Sequence, residues 1–164
     1  MTDSPSPPPV PRRGLPPHRS VRSGAAESRR GRGARTAGRL LLGAFLVLAG
    51  VSHLGWSREA FYAQVPPWLP VDADFVVVAS GLVEICLGLG LLLLRRSRVA
   101  LGWVVAAFFV AVFPGNISQF ATATDSFGLN SDLSRGLRLL FQPLLVLWAL
   151  WSAGAWRAWR ESRQ

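Results

Sequence analysis

Five polar residues fall inside or at the ends of long apolar runs: His53, Glu84, Asn116, Arg138 and Gln142. A carboxylic acid and an imidazole can carry a proton, while a guanidinium and two carboxamides can hold carbonyl or anionic oxygens. Glu84 stands in Val71–Leu94, about 15 Å into a helix counted from Asp74. A carboxyl at that depth of a bilayer costs about 2.5 kcal/mol or more unless it is protonated, paired or wetted. Gly81 and Gly88, at i−3 and i+4, share its face and leave gaps where another helix can approach closely. Arg135, Arg138 and Gln142 follow at i, i+3 and i+7, a stripe that brings Arg138 and Gln142 about 5 and 10 Å in from the same, outer side. His53 and Asn116 belong to the same third of the membrane, so an Arg138–Glu84 pair, direct or through Gln142 or water, is expected. Two readings stay open: polar groups that fix helix order, or a pocket that opens outward. A metal centre is not expected, because His53 and Glu84 offer too few ligands and the second histidine, His18, lies in the N-terminal tail. No spaced Ser/His/Asp or Cys/His set for nucleophilic catalysis is present, and the catalytic residues are unknown.

Four apolar stretches must position these groups. They are expected as membrane spans at about 37–55, 73–94, 98–120 and 135–156, each near the length that crosses roughly 30 Å of hydrocarbon. Gly43 and Gly50, seven apart, put a small-residue seam on the first span, matching the Gly81/Gly88 gaps of the second. Between them, Ser57 is a candidate N-cap for a short interfacial helix through Gln64, ended by Pro66-Pro67 and rich in aromatics (Phe61, Tyr62, Trp68). Asp72 and Asp74 open the second span, against the positive end of its dipole. The turn 95–98 permits only an antiparallel hairpin, with Ser97 starting the third span. That span is uninterrupted only to Phe113 and must continue through Pro114. Pro143 loosens the fourth beside Gln142. The fold class is therefore all-α: an integral membrane four-helix bundle with a disordered N-terminal tail over residues 1–36, a membrane domain over 37–156 and a short C-terminus over 157–164.

The formal charge of +9 comes mostly from the tail, where nine arginines over residues 1–39 oppose Asp3 and Glu27. Its Pro, Ser, Gly and Arg composition cannot bury a core, polyproline character is expected near Pro7–Pro9, and His18 is expected to be solvated. The tail has no early apolar segment of the signal-peptide kind. All eighteen basic residues are arginine. Next to a membrane helix such charge sets topology or touches anionic lipid, and without aromatic interleaving or a reader motif nucleic acid is not an expected partner. With both termini cytoplasmic, the inner side carries the tail, the 95–98 turn and Arg157, Arg160 and Arg163. The outer side carries only Arg58, Arg135 and Arg138. That asymmetry predicts the orientation. The single cysteine, Cys86, excludes disulfide scaffolds and self-contained dithiol chemistry.

The order Gly50-x-x-His53, Val65–Pro70 (VPPWLP), Ser80-Gly81-x-x-Glu84-x-x-x-Gly88, Phe113-Pro114-x-Asn116-Ile117 and Arg138-x-x-x-Gln142 resembles the DoxX family of small bacterial four-helix membrane proteins, over about Arg39 to Trp151. Leu54 and Gly115 replace the Phe and Ala that family members often carry. The resemblance implies a bacterial plasma-membrane location and association with quinone-linked or thiol-redox systems, with a partner redox protein or a homo-oligomer. No cofactor motif is present, there being no GxGxxG, no cysteine set and no opposed mid-span histidines for haem, so an exchanging quinone is the candidate cofactor. The alternatives are a non-enzymatic small-molecule binder or transporter component, and a structural or assembly subunit. Whether the chain is an enzyme, and which small molecule it takes, the residues leave open.

Overall fold

The computed structural model describes residues 19–124 and 131–163. Every regular element among them is a helix: α1 (Arg19–Leu54), α2 (Arg58–Tyr62), α3 (Ala73–Leu93), α4 (Arg98–Ala121), α5 (Asp132–Ala153) and α6 (Ala155–Glu161). Four are long and apolar enough to cross a membrane, over Gly31–Leu54, Ala73–Leu93, Arg98–Ala121 and Gly136–Ala153. The chain is a multi-pass helical protein of the membrane type. Its outward faces carry leucine and valine such as Leu41, Val104, Leu140 and Leu144, as the bilayer requires.

The four spans form a ring in the order α1, α3, α4, α5, each antiparallel to its neighbours. The α1–α3 contact is the closest. A Cβ built on Gly50 would lie 2.4 Å from the Gly81 carbonyl oxygen, and one built on Gly43 3.0 Å from that of Gly88. The two seams expected from seven-residue spacing therefore face each other, backbone to backbone, where lipid offers no hydrophobic gain and close packing must hold helices together. Gly90 sits against Leu101 across the α3–α4 hairpin, and Gly102 against Ala153 between α4 and α5. Leu42, Leu46, Leu91, Val105 and Phe109 fill the centre.

Local chemistry sets the ends. Asp72 caps α3, its carboxylate accepting from the Phe75 N–H at 3.0 Å. Ser57 and Ser97 occupy the N-cap positions of α2 and α4, but neither makes a capping bond. Helix α4 runs through Pro114 to Ala121, as its short apolar run demanded. The fourth span ends at Ala153 rather than Trp156, because Gly154 takes a left-handed conformation (φ 75°) and turns the chain into α6. Trp156 belongs to that separate helix.

Helix α1 begins at Arg19, well inside the stretch assigned to a disordered tail. Between Pro17 and Pro66 the chain has no proline, and Ala25, Ala26, Glu27 and arginines favour the helix that the apolar segment continues. Arg39, grouped by sequence with the tail charges, is only 5% exposed, and its guanidinium donates to the Leu91 carbonyl in the last turn of α3. That carbonyl lacks an intrahelical partner and sits at the negative end of the helix dipole, so a buried cation fits there. Residues 1–18, with Pro7–Pro9 and His18, lie outside the described residues.

Candidate functional site

All five polar residues line one cavity of about 920 Å³, at the end of the bundle opposite the N- and C-terminal helix ends. Its wall draws on α1 (His53, Ser52), α3 (Ser80, Glu84), α4 (Asn116) and α5 (Arg138, Gln142), with α2 and the loop after it. Antiparallel packing explains the convergence: the C-terminal ends of α1 and α4 meet the N-terminal halves of α3 and α5 at the same height.

The Glu84 side chain is 12% exposed and turns inward, away from the acyl chains, as the glycine gaps beside it predicted. Its neighbour corrects the expected pairing with Arg138. The ion pair that Glu84 makes among the described residues is with His53, Nδ1 to Oε2, at 3.2 Å. Gly81 brings this about, since a Cβ there would strike the His53 Cβ at 2.7 Å. The α1 backbone comes so near α3 that the imidazole reaches the carboxylate first. Nδ1 also lies 2.8 Å from the Ala49 carbonyl oxygen, and two oxygens around one ring nitrogen require that nitrogen to carry the proton. The N–H aligns with Ala49, so Glu84 Oε2 is close enough for charge attraction yet holds no hydrogen bond among the described residues. Phe61 of α2 stacks on the imidazole, centroids 3.4 Å apart and rings inclined by 17°.

Asn116 and Gln142 form a second, self-contained set. Asn116 Nδ2 donates to Gln142 Oε1 at 3.0 Å, and Gln142 Nε2 donates to the Phe109 carbonyl at 2.6 Å. Both side chains are buried and tie α4 to α5 in the turns around Pro114. Arg138 lies on the same α5 stripe, one turn nearer the helix start, and also lines the cavity. The side chain of Arg135 is outside the described residues.

Sequence reasoning missed how deeply α2 and its loop enter the site. Arg58 clasps Asp74 through two hydrogen bonds, Nε to Oδ1 at 2.6 Å and Nη2 to Oδ2, and Tyr62 donates its phenol to Oδ1 at 2.6 Å. Asp74, expected to serve the α3 dipole alone, is an anchor for α2. The Asp74 hydrogen bond is the main cause that raises the Arg58 guanidinium above its ordinary value, and it likewise raises the Tyr62 phenol. The loop is held at its other end by Gly115, where a Cβ would lie 2.4 Å from the Gln64 carbonyl oxygen. Pinned at both points, the segment places Phe61, Gln64, Val65 and Trp68 in the cavity wall. Gln64 Nε2 is buried without a hydrogen-bond partner among the described residues. The signal for this was Gly115 itself, beside Pro114, where a loop backbone needs room.

The sequence matches a family described as "Domain of unknown function (DUF8561)" over residues 42–153, a stretch that contains every residue lining this cavity. No curated protein and no solved structure matches. The match covers more than half of the sequence, and the chain belongs to that family of unknown function.

Proposed function

We propose that this chain is a multi-pass protein of a bacterial plasma membrane, with both termini cytoplasmic, that binds a quinone headgroup or a small sulfur species in an outward-facing cavity and serves a redox system as a membrane subunit. The observation that carries the reading is an ionisable pair, His53–Glu84, in the wall of a cavity otherwise built largely from aromatic and aliphatic side chains. A quinone is a flat apolar ring with two carbonyl acceptors, and reduction adds two electrons and two protons to it. Phe61, Phe109 and Phe141 offer apolar faces, Gln64 Nε2 and Arg138 are donors, and His53 with Glu84 can move a proton to a ring oxygen. The electrons must come from a partner protein, since the chain carries no redox cofactor motif. The resemblance to DoxX-type proteins supports the redox association, and the arginine asymmetry supports the orientation.

Asn116 and Gln142 favour a second role. Their hydrogen bonds are spent on one another and on Phe109, which is how groups that fix helix order behave. The reading therefore divides the five residues: Asn116 and Gln142 hold α4 to α5, while His53, Glu84 and Arg138, joined by Gln64, face the ligand.

The test is purification of the full chain from its native membranes, with identification of bound quinones and co-purifying proteins. A quinone retained by the wild type and lost from Glu84→Gln, at equal abundance in the membrane, supports the reading. A chain that accumulates a solute in proteoliposomes without any redox change supports the transporter alternative instead.

A further inference from the structure

We propose a second binding site, for one anionic phospholipid, at the opposite end of the bundle. A pocket of about 370 Å³ lies there between α1, the end of α5 and the start of α6. Two guanidiniums line it, Arg35 from α1 and Arg157 from α6, together with Leu147, Trp151 and Trp156. Among the described residues, no acidic side chain lines it. The chemistry is divided along the helices: Leu147, Leu150 and Trp151 belong to the last turns of α5, while Arg35 precedes the apolar run of α1 and Arg157 follows the break at Gly154. A phosphodiester with acyl chains has the same division, and arginine binds phosphate oxygens through two parallel N–H bonds.

The pocket exists because the chain breaks at Gly154. Its left-handed backbone ends α5, and nothing lies within 4 Å of where its Cβ would be, so the break opens a gap rather than a packed turn. Helix α6 holds Trp156 and Trp159 in contact (ring centroids 5.4 Å apart), with Arg160 and Arg163 lying over their rings at 5.4 and 4.0 Å. This Arg/Trp pairing suits the headgroup layer, where amphipathic rings concentrate. Trp151 is fixed on the other side by Gly38, one turn from Arg35, where a Cβ would meet its ring at 2.8 Å. The two arginines thus come from helix segments held in place by glycine contacts and by the α5–α6 turn, not from a loose basic surface.

Native mass spectrometry of the full chain in detergent tests the site, with dioleoylphosphatidylglycerol and dioleoylphosphatidylcholine as probes. The wild type should retain one phosphatidylglycerol and little phosphatidylcholine. Arg35→Gln with Arg157→Gln should weaken retention about 25-fold, taking roughly fivefold per arginine near an anionic headgroup. Arg160→Gln with Arg163→Gln, equal in charge but outside the pocket, should change it less than about threefold. Leu147→Trp alters an exposed side chain, keeps both arginines and fills the apolar part, and it should also abolish retention. Equal loss in both arginine pairs, equal retention of the two lipids, or unchanged retention in Leu147→Trp would each overturn the proposal. So would displacement by glycerol phosphate at equal concentration, which indicates a free-anion site, or a lipid-free dimer, which gives this face to a second copy.

Discussion

Replacing Gln142 with leucine removes two interhelical hydrogen bonds, to Asn116 and to the Phe109 carbonyl, without changing the length of the side chain greatly. Each such bond inside a membrane protein is worth about 0.6 kcal/mol on average and up to about 1.7 kcal/mol. Gln142→Leu should therefore cost about 1–3 kcal/mol, while Asn116→Leu, which removes only the shared bond, should cost about 0.6–1.7 kcal/mol. The double variant should cost less than the sum, by about the worth of that one bond, because neither single change can remove it twice. Reversible unfolding in mixed micelles with increasing dodecyl sulfate, followed by circular dichroism, measures all three. Additivity within about 0.3 kcal/mol would refute the assignment of these two residues as a bonded pair that holds α4 to α5. The same variants should leave ligand retention largely intact, since the bonds they remove run between α4 and α5.

Other perturbations read the remaining contacts. Gly50→Leu drives a side chain into the Gly81 carbonyl and should destabilise the bundle by about 1–3 kcal/mol or more in the same assay, whereas Gly33→Ala, with open space around it, should be neutral or gain up to about 1 kcal/mol of helix propensity. Gly115→Val should displace the loop at Gln64 and raise protease cleavage between residues 63 and 70, with α1 and α3 unchanged. Tyr62 titrates above the ordinary phenol because the protonated form donates to Asp74, so its hold on α2 is fully present below pH 10 or so and lost as pH rises through the raised value. Hydrogen exchange in α2 should accordingly separate wild type from Tyr62→Phe at pH 8, and the difference should vanish at high pH.

Much of this architecture is written in local pattern. Span length, the seven-residue glycine spacing and the continuation of α4 through Pro114 each follow from bilayer thickness and helix period, which act within a single segment. The inward turn of Glu84 was legible for the same reason, since Gly81 and Gly88 mark its face. Its neighbour was not. Whether His53 or Arg138 reaches the carboxylate depends on a fraction of a turn in the α1–α3 crossing, which no single helix encodes. Arg39 looked like tail charge because burial beside a helix C-terminus is a property of two helices. Gln64 and Phe61 read as interfacial residues, and only the clasp of Arg58 and Tyr62 on Asp74, with the notch at Gly115, carries them into the cavity.

The cavity claim has a direct optical test, because Trp56, Trp68 and Trp148 line it. Titration of the purified full chain with decylubiquinone should quench tryptophan emission saturably, and Glu84→Gln and Gln64→Leu should each weaken the apparent affinity about tenfold, the scale of one lost hydrogen bond to a charged or buried polar group. Quenching that is linear and identical in all three proteins would mean that the quinone partitions only into the micelle, and would contradict a ligand site at the His53–Glu84 pair.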